Sequence, residues 1–508
     1  MAVAPLIGVV MAALAEGSAA IAARDVARYA ATSALLALIV GATTAVAGTI
    51  AAWLVVMHEF PGRRWFAWAL ALPLAAPAFV LAYAYASLFD VGGPLRFALR
   101  DGFGFDLPIE MHNMAGAAFV FTCAFYPYVY LAMRAAFLAQ PLDALEAART
   151  LGASPMSSFR AVALPVARPA LAAGVALAVM ETLADYGAAQ FLSVQTLTTG
   201  VVRAWSVYGS TASAARFALP LLAAAALLLW VERAARRGRS HQGGRARWRP
   251  LPRHCLTGLK AAAATGFCAL LLTAGLLLPV GWMLWNAIDI TPEVDRLIRA
   301  GLHSLLLGGI AAVVTVGLAT ALAIGARNWP AAVRVASLGY ATPGAAMALG
   351  LLVPAALLWR HTPAGSSLVA GIALLVYAYA ARLMAAALEP IDAGLQRVSP
   401  AMIDAARTLG RGEMATAAAV QVPVARGAML TAMLIIFIDV LKELPATLIL
   451  RPFNFETLAV MASNYALDER LAQAGWPSLA ILALSLPAVM WLTRRIALSR
   501  PGHVAQPA

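Results

Sequence analysis

The chain has 508 residues, 62% of them hydrophobic and 12% charged, with a mean hydropathy of +0.79. That composition excludes a soluble globular protein and points to an all-α membrane protein, because a β-barrel would show short alternating segments rather than apolar runs of roughly 20 residues. The formal net charge of +13 is almost all arginine, Lys260 and Lys442 being the only lysines, and it collects in loops; this assigns it to membrane orientation and contact with lipid, not to nucleic acid.

In chain order, Met1 to Leu14 is apolar but too short to span, and it lacks the basic start and cleavage site of a signal peptide. The segment PLIGVVMAAL from Pro5 resembles PVGWMLWNAI from Pro279, yet the later copy follows a full apolar run, Leu259 to Leu278. The first helix is therefore expected to lack its beginning. Further spans are predicted at Tyr29–Met57, Trp65–Phe89, Met114–Leu138, Ala167–Leu192 and Phe217–Val231. The second half repeats the scheme at Leu259–Ala287, Ser304–Ala326, Val333–Leu358, Leu368–Leu388, Met429–Leu450 and Ser478–Leu492. The expectation is two parallel six-helix repeats, about 12 helices in all: a first half over residues 1–235, a basic linker over 236–257 and a second half over 258–508.

Charge orients the spans. The linker VERAARRGRSHQGGRARWRPLPRH is the most basic segment, and Arg63, Arg64, Arg327, Arg334, Arg494, Arg495 and Arg500 share its side. The opposite loops carry Asp90, Asp101, Asp106 and Glu110, and then Asp289, Glu293 and Asp295. The positive-inside rule puts both termini in the cytoplasm.

One polar segment recurs. EAARTLGASPMSSFRAVALP runs from Glu146 to Pro165 and DAARTLGRGEMATAAAVQVP from Asp404 to Pro423, a constant shift of 423 − 165, or 258. Each copy reads as a helix ended by a glycine (Gly152, Gly410), a turn, a short helix and a proline stop. In the first copy Ser154 and Pro155 suit the start of the short helix; Gly412 and Glu413 fill that place less well. Two matching polar hairpins between apolar runs are suited to engaging a dimeric partner in water.

At these residues the chain resembles the cytoplasmic loop of binding-protein-dependent ABC importer permeases. The first copy fits the spacing throughout, whereas the second has Asp404 for Glu and Val422 for Leu. The resemblance implies a type I importer permease fold in which Glu146, Ala147, Ala148, Gly152 and Pro165, with Asp404, Ala405, Ala406, Gly410 and Pro423, couple to an ATPase dimer. It also implies a periplasmic substrate-binding protein and a place in the bacterial inner membrane.

Beyond each hairpin comes intramembrane charge, which is costly and marks a cavity or a partner. Glu181 and Asp185 are expected on one helical face, four residues apart, and Asp439 and Glu443 hold the same places after the shift of 258. Lys442 is placed to pair with Asp439 three residues back. Two readings stay open: four carboxylates lining a passage for a cation, or ion pairs that lock helices together. Gly187 and Pro445 imply a helix break there.

METLADYGAAQFLSVQTLTTGVVRAW and DVLKELPATLILRPFNFETLAV look like the matching segments of fused two-half ferric-iron importer permeases. That resemblance implies ferric iron as cargo, with thiamine and polyamine permeases as alternatives of the same architecture. A secondary transporter with parallel repeats explains the hydrophobicity but not the hairpins. No GxxxxGK[ST] loop, HExxH or paired Cys-x-x-Cys occurs, so no enzymatic site, cofactor or metal site is expected and ATP hydrolysis falls to a partner. Cys123, Cys255 and Cys268 read as buried bystanders, the histidines (His58, His241, His254, His361 and His503 among them) as surface groups, and Tyr83, Tyr85, Tyr377 and Tyr379 as packing.

Overall fold

The computed structural model describes residues 3–14, 21–89, 93–104, 110–140, 150, 155–236, 253–325, 330–336, 339, 342–359 and 368–498. These residues are overwhelmingly helical, as lipid demands: without water, each backbone N–H and C=O must be satisfied within its own segment. The first half comprises α1 (Val3–Leu14), α2 (Ala23–Met57), α3 (Arg63–Ala69), α4 (Ala78–Phe89), α5 (Pro94–Phe103), α6 (Met114–Ala139), α7 (Leu164–Ala184), α8 (Gly187–Phe191), α9 (Leu197–Ser206) and α10 (Thr211–Arg236). The second comprises α11 (Gly258–Leu272), α12 (Leu278–Ile288), α13 (Val294–Gly325), α14 (Pro330–Ala336), α15 (Gly344–Trp359), α16 (Leu368–Leu395), α17 (Pro400–Thr408), α18 (Val422–Leu441), α19 (Pro445–Leu450), α20 (Leu458–Leu467) and α21 (Leu471–Leu498).

Among the described residues nine helices are long and apolar enough to cross a membrane, or ten if one bent pair is a single span. The sequence led to about twelve. The Trp65–Phe89 span is bent by 92° between α3 with its following 3₁₀ turn and α4, where Pro77 disfavours helix for the residue before it. The Val333–Leu358 span likewise divides into α14 and α15, and α1 and α15 are apolar but short. The Ala167–Leu192 and Met429–Leu450 spans are broken too, after Ala184 and after Leu441.

The two halves are built alike in detail. The Ser33 hydroxyl accepts the Leu197 N–H at 2.8 Å, and the Ser304 hydroxyl accepts the Leu458 N–H at 2.9 Å. Thr196 and Thr457 each cap the helix that follows, α9 and α20. Helices α7 and α18 both begin on a π turn, Phe159–Ala163 and Ala417–Gln421, followed by a leading proline. Here the sequence expectation needs correction, because Pro165 and Pro423 do not stop a helix. Lacking an N–H and crowding the carbonyl four residues back, each proline sits just beyond a turn widened to a five-residue spacing, and the helix runs on. The Leu164 N–H reaches Phe159 O, and the Val422 N–H reaches Ala417 O. In α12, Pro279 follows a third such turn, Thr273–Leu277.

The halves also exchange their first helices. α1 crosses α15 of the second half so closely that a Cβ on Gly8 would collide with the Gly350 carbonyl, and one on Gly350 with that of Pro5. Reciprocally, α11 and α12 lie on the first half: Thr265 donates to Pro61 O (3.1 Å), Tyr85 donates to Ala274 O (2.6 Å) and the Trp282 indole donates to Ser87 (3.1 Å). Lipid supplies no hydrophobic drive between helices, so close contact through small residues and cross-helix hydrogen bonds holds them. The buried clusters reflect this, each large one drawing residues from both halves. Tyr83, Tyr85 and Tyr379 are fully buried in that packing.

At the end of the bundle that carries the hairpins, two short strands, β1 (His58–Glu59) and β2 (His254–Cys255), pair in parallel and clasp the chain leading into α11 against the first half. One Glu59 oxygen takes Arg63 Nε at 2.8 Å and the other takes an Arg253 nitrogen at 2.9 Å. Burial works to raise the Glu59 carboxyl, but the hydrogen bonds and charges of Arg63 and Arg253 hold it below the usual carboxylate range. Two bystander assignments change here. His58 is buried, with burial and the neighbouring His254 lowering its pKa, and Cys255 is exposed while Cys123 and Cys268 are buried. His241, His361 and His503 lie outside the described residues.

Candidate translocation site and coupling elements

Of the first hairpin, Glu146, Ala147, Ala148 and Gly152 lie outside the described residues, and Pro165 opens α7. The second hairpin is described whole. α17 carries Asp404 and Ala405 exposed and Ala406 buried, and Gly410 takes the left-handed conformation at φ +79°. Around it, Leu409 is 80% and Met414 91% exposed. Two large apolar side chains are thus presented on a polar hairpin.

From each hairpin a long helix runs to a break. α7 ends at Ala184 and α18 at Leu441, and the acidic residues expected on one helical face divide at this point. Glu181 and Asp439 remain on their helices, whereas Asp185 and Glu443 lie beyond the ends in non-helical backbone. Each freed carboxylate caps the next short helix. Asp185 Oδ1 accepts the N–H groups of Ala188 (2.9 Å) and Ala189 (3.3 Å). Glu443 Oε2 accepts those of Ala446 (3.1 Å) and Thr447 (3.3 Å). Gly187 and Pro445 suit these starts: the glycine has Leu444 and Phe79 where a Cβ would sit, and the proline has no N–H to leave unpaired.

The two breaks meet at the centre of the bundle around a cavity of about 90 Å³. Glu181, Asp185, Asp439, Lys442 and Glu443 all line it, together with one charged group the sequence reading missed, Arg382 of α16. Lys442 Nζ is 3.0 Å from Asp439 Oδ1, and an Arg382 guanidinium nitrogen is 2.8 Å from Glu443 Oε1. The lining thus holds four acidic side chains and two basic ones, Arg382 and Lys442. Such a set can receive a positively charged group at the carboxylates or a negative one at Arg382 and Lys442. Among the described residues no three His, Cys, Asp or Glu side chains converge as a metal-holding group. At the end opposite the hairpins a wider cleft of about 890 Å³ opens beside Arg296, Arg299, His303 and Arg451, where Arg296 grips both oxygens of Glu456 at 2.8 and 2.9 Å.

Residues 44–240 match the family described as binding-protein-dependent transport system inner membrane component. The chain carries a binding-protein-dependent transport permease domain. Over 84% of its length, covering 82% of the relative, the chain is 23% identical to the Fe(3+)-transport system permease protein FbpB 2 of Haemophilus influenzae. It is 33% identical to the sulfate transport system permease protein CysT of Salmonella typhimurium, over 31% of this chain and 56% of that one. The corresponding figures for CysW, a sulfate transport system permease protein of Escherichia coli, are 32%, 31% and 53%. These relatives are named as transport permeases, and the permease domain at residues 44–240 sits in a chain whose described residues hold nine or ten apolar spans.

Proposed function

We propose that this permease moves ferric iron, received from a periplasmic substrate-binding protein, through the central cavity into the cytoplasm. The observation that carries the reading is the placement of Glu181, Asp185, Asp439 and Glu443 around one cavity, at the far ends of the two helices that rise from the hairpins. The similarity to an iron permease through both halves supports the cargo. The hairpins face the cytoplasm with both termini, and an ATPase dimer seats on them, the first through Glu146, Ala147, Ala148 and Gly152, the second through Asp404, Ala405, Ala406 and Gly410. Residues 1–235 and 258–508 act as the two rocking halves, joined by the basic segment 236–257. Closure of the ATPase pushes the hairpins, Pro165 and Pro423 pass the motion into α7 and α18, and the cavity changes the side to which it opens.

A second reading, sulfate as cargo, has a specific observation in its favour: Arg382 and Lys442 line the same cavity, and relatives over one half are sulfate permeases. Uptake in cells lacking their own iron and sulfate importers separates the two. Iron uptake that falls in Glu181→Gln and Asp439→Asn, with the variants still inserted and sulfate uptake absent throughout, supports the iron reading. Sulfate uptake abolished by Lys442→Met refutes it.

A further inference from the structure

The two halves bring the same backbone to the cavity but not the same charge. At the hairpins' shift of 258, 382 − 258 is 124, so Arg382 of α16 answers to Ala124 of α6. Both line the cavity. Only the second half therefore supplies a guanidinium, and it supplies a fitted place for it. The Arg382 and Glu443 side chains are 16% and 4% exposed and meet at 2.8 Å. Gly344, at the start of α15, lies so close that a Cβ there would strike Glu443 Oε1 and come within 3.1 Å of an Arg382 nitrogen. Backbone donors from Ala446 and Thr447 hold the carboxylate from the other side. Glu181 is within electrostatic reach of both Arg382 and Lys442.

We infer that Arg382 is the specificity-determining residue of the passage, a tethered cation that holds the Glu443 seat in the empty protein and yields it only to a cargo of higher charge. The inference rests on the cationic reading of the cargo given above. A guanidinium spreads one charge over a planar, weakly hydrated group, and here one of its nitrogens donates to Glu443 Oε1 at 2.8 Å. A trivalent ion at the same separation is attracted roughly three times as strongly as one unit charge, which displaces the arginine. An alkali ion gains nothing by the exchange, and a divalent ion gains roughly two-thirds of the attraction of a trivalent one. Without such a plug, a cavity of four carboxylates would admit any small cation each time it opened.

The test uses the complete transporter, with its ATPase and binding protein, in proteoliposomes. Arg382→Gln keeps a donor for Glu443 but loses the charge, and ATP-dependent uptake of radiolabelled manganese(II) is expected to rise roughly tenfold, equivalent to about 1.4 kcal/mol of barrier. Ferric iron uptake is measured beside it, and the ratio of manganese to ferric uptake is expected to rise roughly tenfold over wild type. Arg382→Lys keeps the charge but not the planar guanidinium, and manganese uptake rises by a smaller factor, about threefold. A ratio of manganese to ferric uptake unchanged in both variants overturns the role of Arg382 and leaves the iron reading standing. If Arg382→Gln does not insert, Arg382→Lys decides alone, and unchanged exclusion overturns the inference. A wild-type protein that moves no ferric iron fails the iron reading instead.

Discussion

Asp185 holds two roles that one atom separates. Its Oδ1 accepts the Ala188 and Ala189 N–H groups at 2.9 and 3.3 Å, and its charge faces the cavity. Asp185→Asn keeps an oxygen at the same place; asparagine caps as well as aspartate, so the stability change is a few tenths of a kcal/mol. Asp185→Ala strands two N–H groups of a short helix packed at the bundle centre, and the loss is about 1–2 kcal/mol. The assays are thermal unfolding of the solubilised protein, ATPase rate of the reconstituted complex and iron uptake. Asn is expected to unfold with the wild type, retain stimulated ATPase activity and lose uptake, whereas Ala loses stability as well. If Asn transports normally, Asp185 is a cap and no part of the passage. If Asn unfolds as early as Ala, the charge itself is structural and the division of roles is refuted.

Gly410→Val forces a β-branched residue into the left-handed turn at φ +79°, at a local penalty of about 1–2 kcal/mol; insertion survives, and recovery of the ATPase in pull-downs falls. Gly350→Val drives a side chain into the Pro5 carbonyl, and the overpacking, about 1–3 kcal/mol, lowers the unfolding midpoint by displacing α1 from α15. Because the Glu59 carboxyl is held below its ordinary value, the clasp it forms is present above about pH 4.5 and is lost as pH falls through the folded value. Being partly exposed it contributes at most about 1 kcal/mol, and Glu59→Gln removes that share of the acid dependence of the unfolding midpoint.

Legibility in the sequence followed distance along the chain. The hairpin repeat, the breaks at Gly187 and Pro445 and the three-residue step between Asp439 and Lys442 are local patterns, and the structure has breaks and an ion pair at those places. Reading Glu181 with Asp185 as one helical face failed because the break falls between them, although a capping carboxylate two residues before Gly187 or Pro445 was a usable sign. Arg382 had one sign, a lone charge in the apolar run LVYAYAARLMAAAL, but its partner Glu443 lies 61 residues away. The exchange of first helices, and the pairing of His58 with His254, depend on contacts across the two halves, for which periodicity carries no signal.

The widened turns before Pro165 and Pro423 bear on which changes of length the protein tolerates. A helix advances about 100° per residue, so one residue gained or lost between hairpin and cavity would swing Asp185 or Glu443 out of the lining. The halves differ freely elsewhere: the shift is 304 − 33, or 271, at the paired serines and 457 − 196, or 261, at the capping threonines. From Gly152 and Gly410 through the prolines to Asp185 and Glu443 it is 258 throughout. Here, where the two copies have kept step to the residue, a single-residue insertion in α7 or α18 is read as a change of angle, while the same insertion in a surface loop is read as nothing at all.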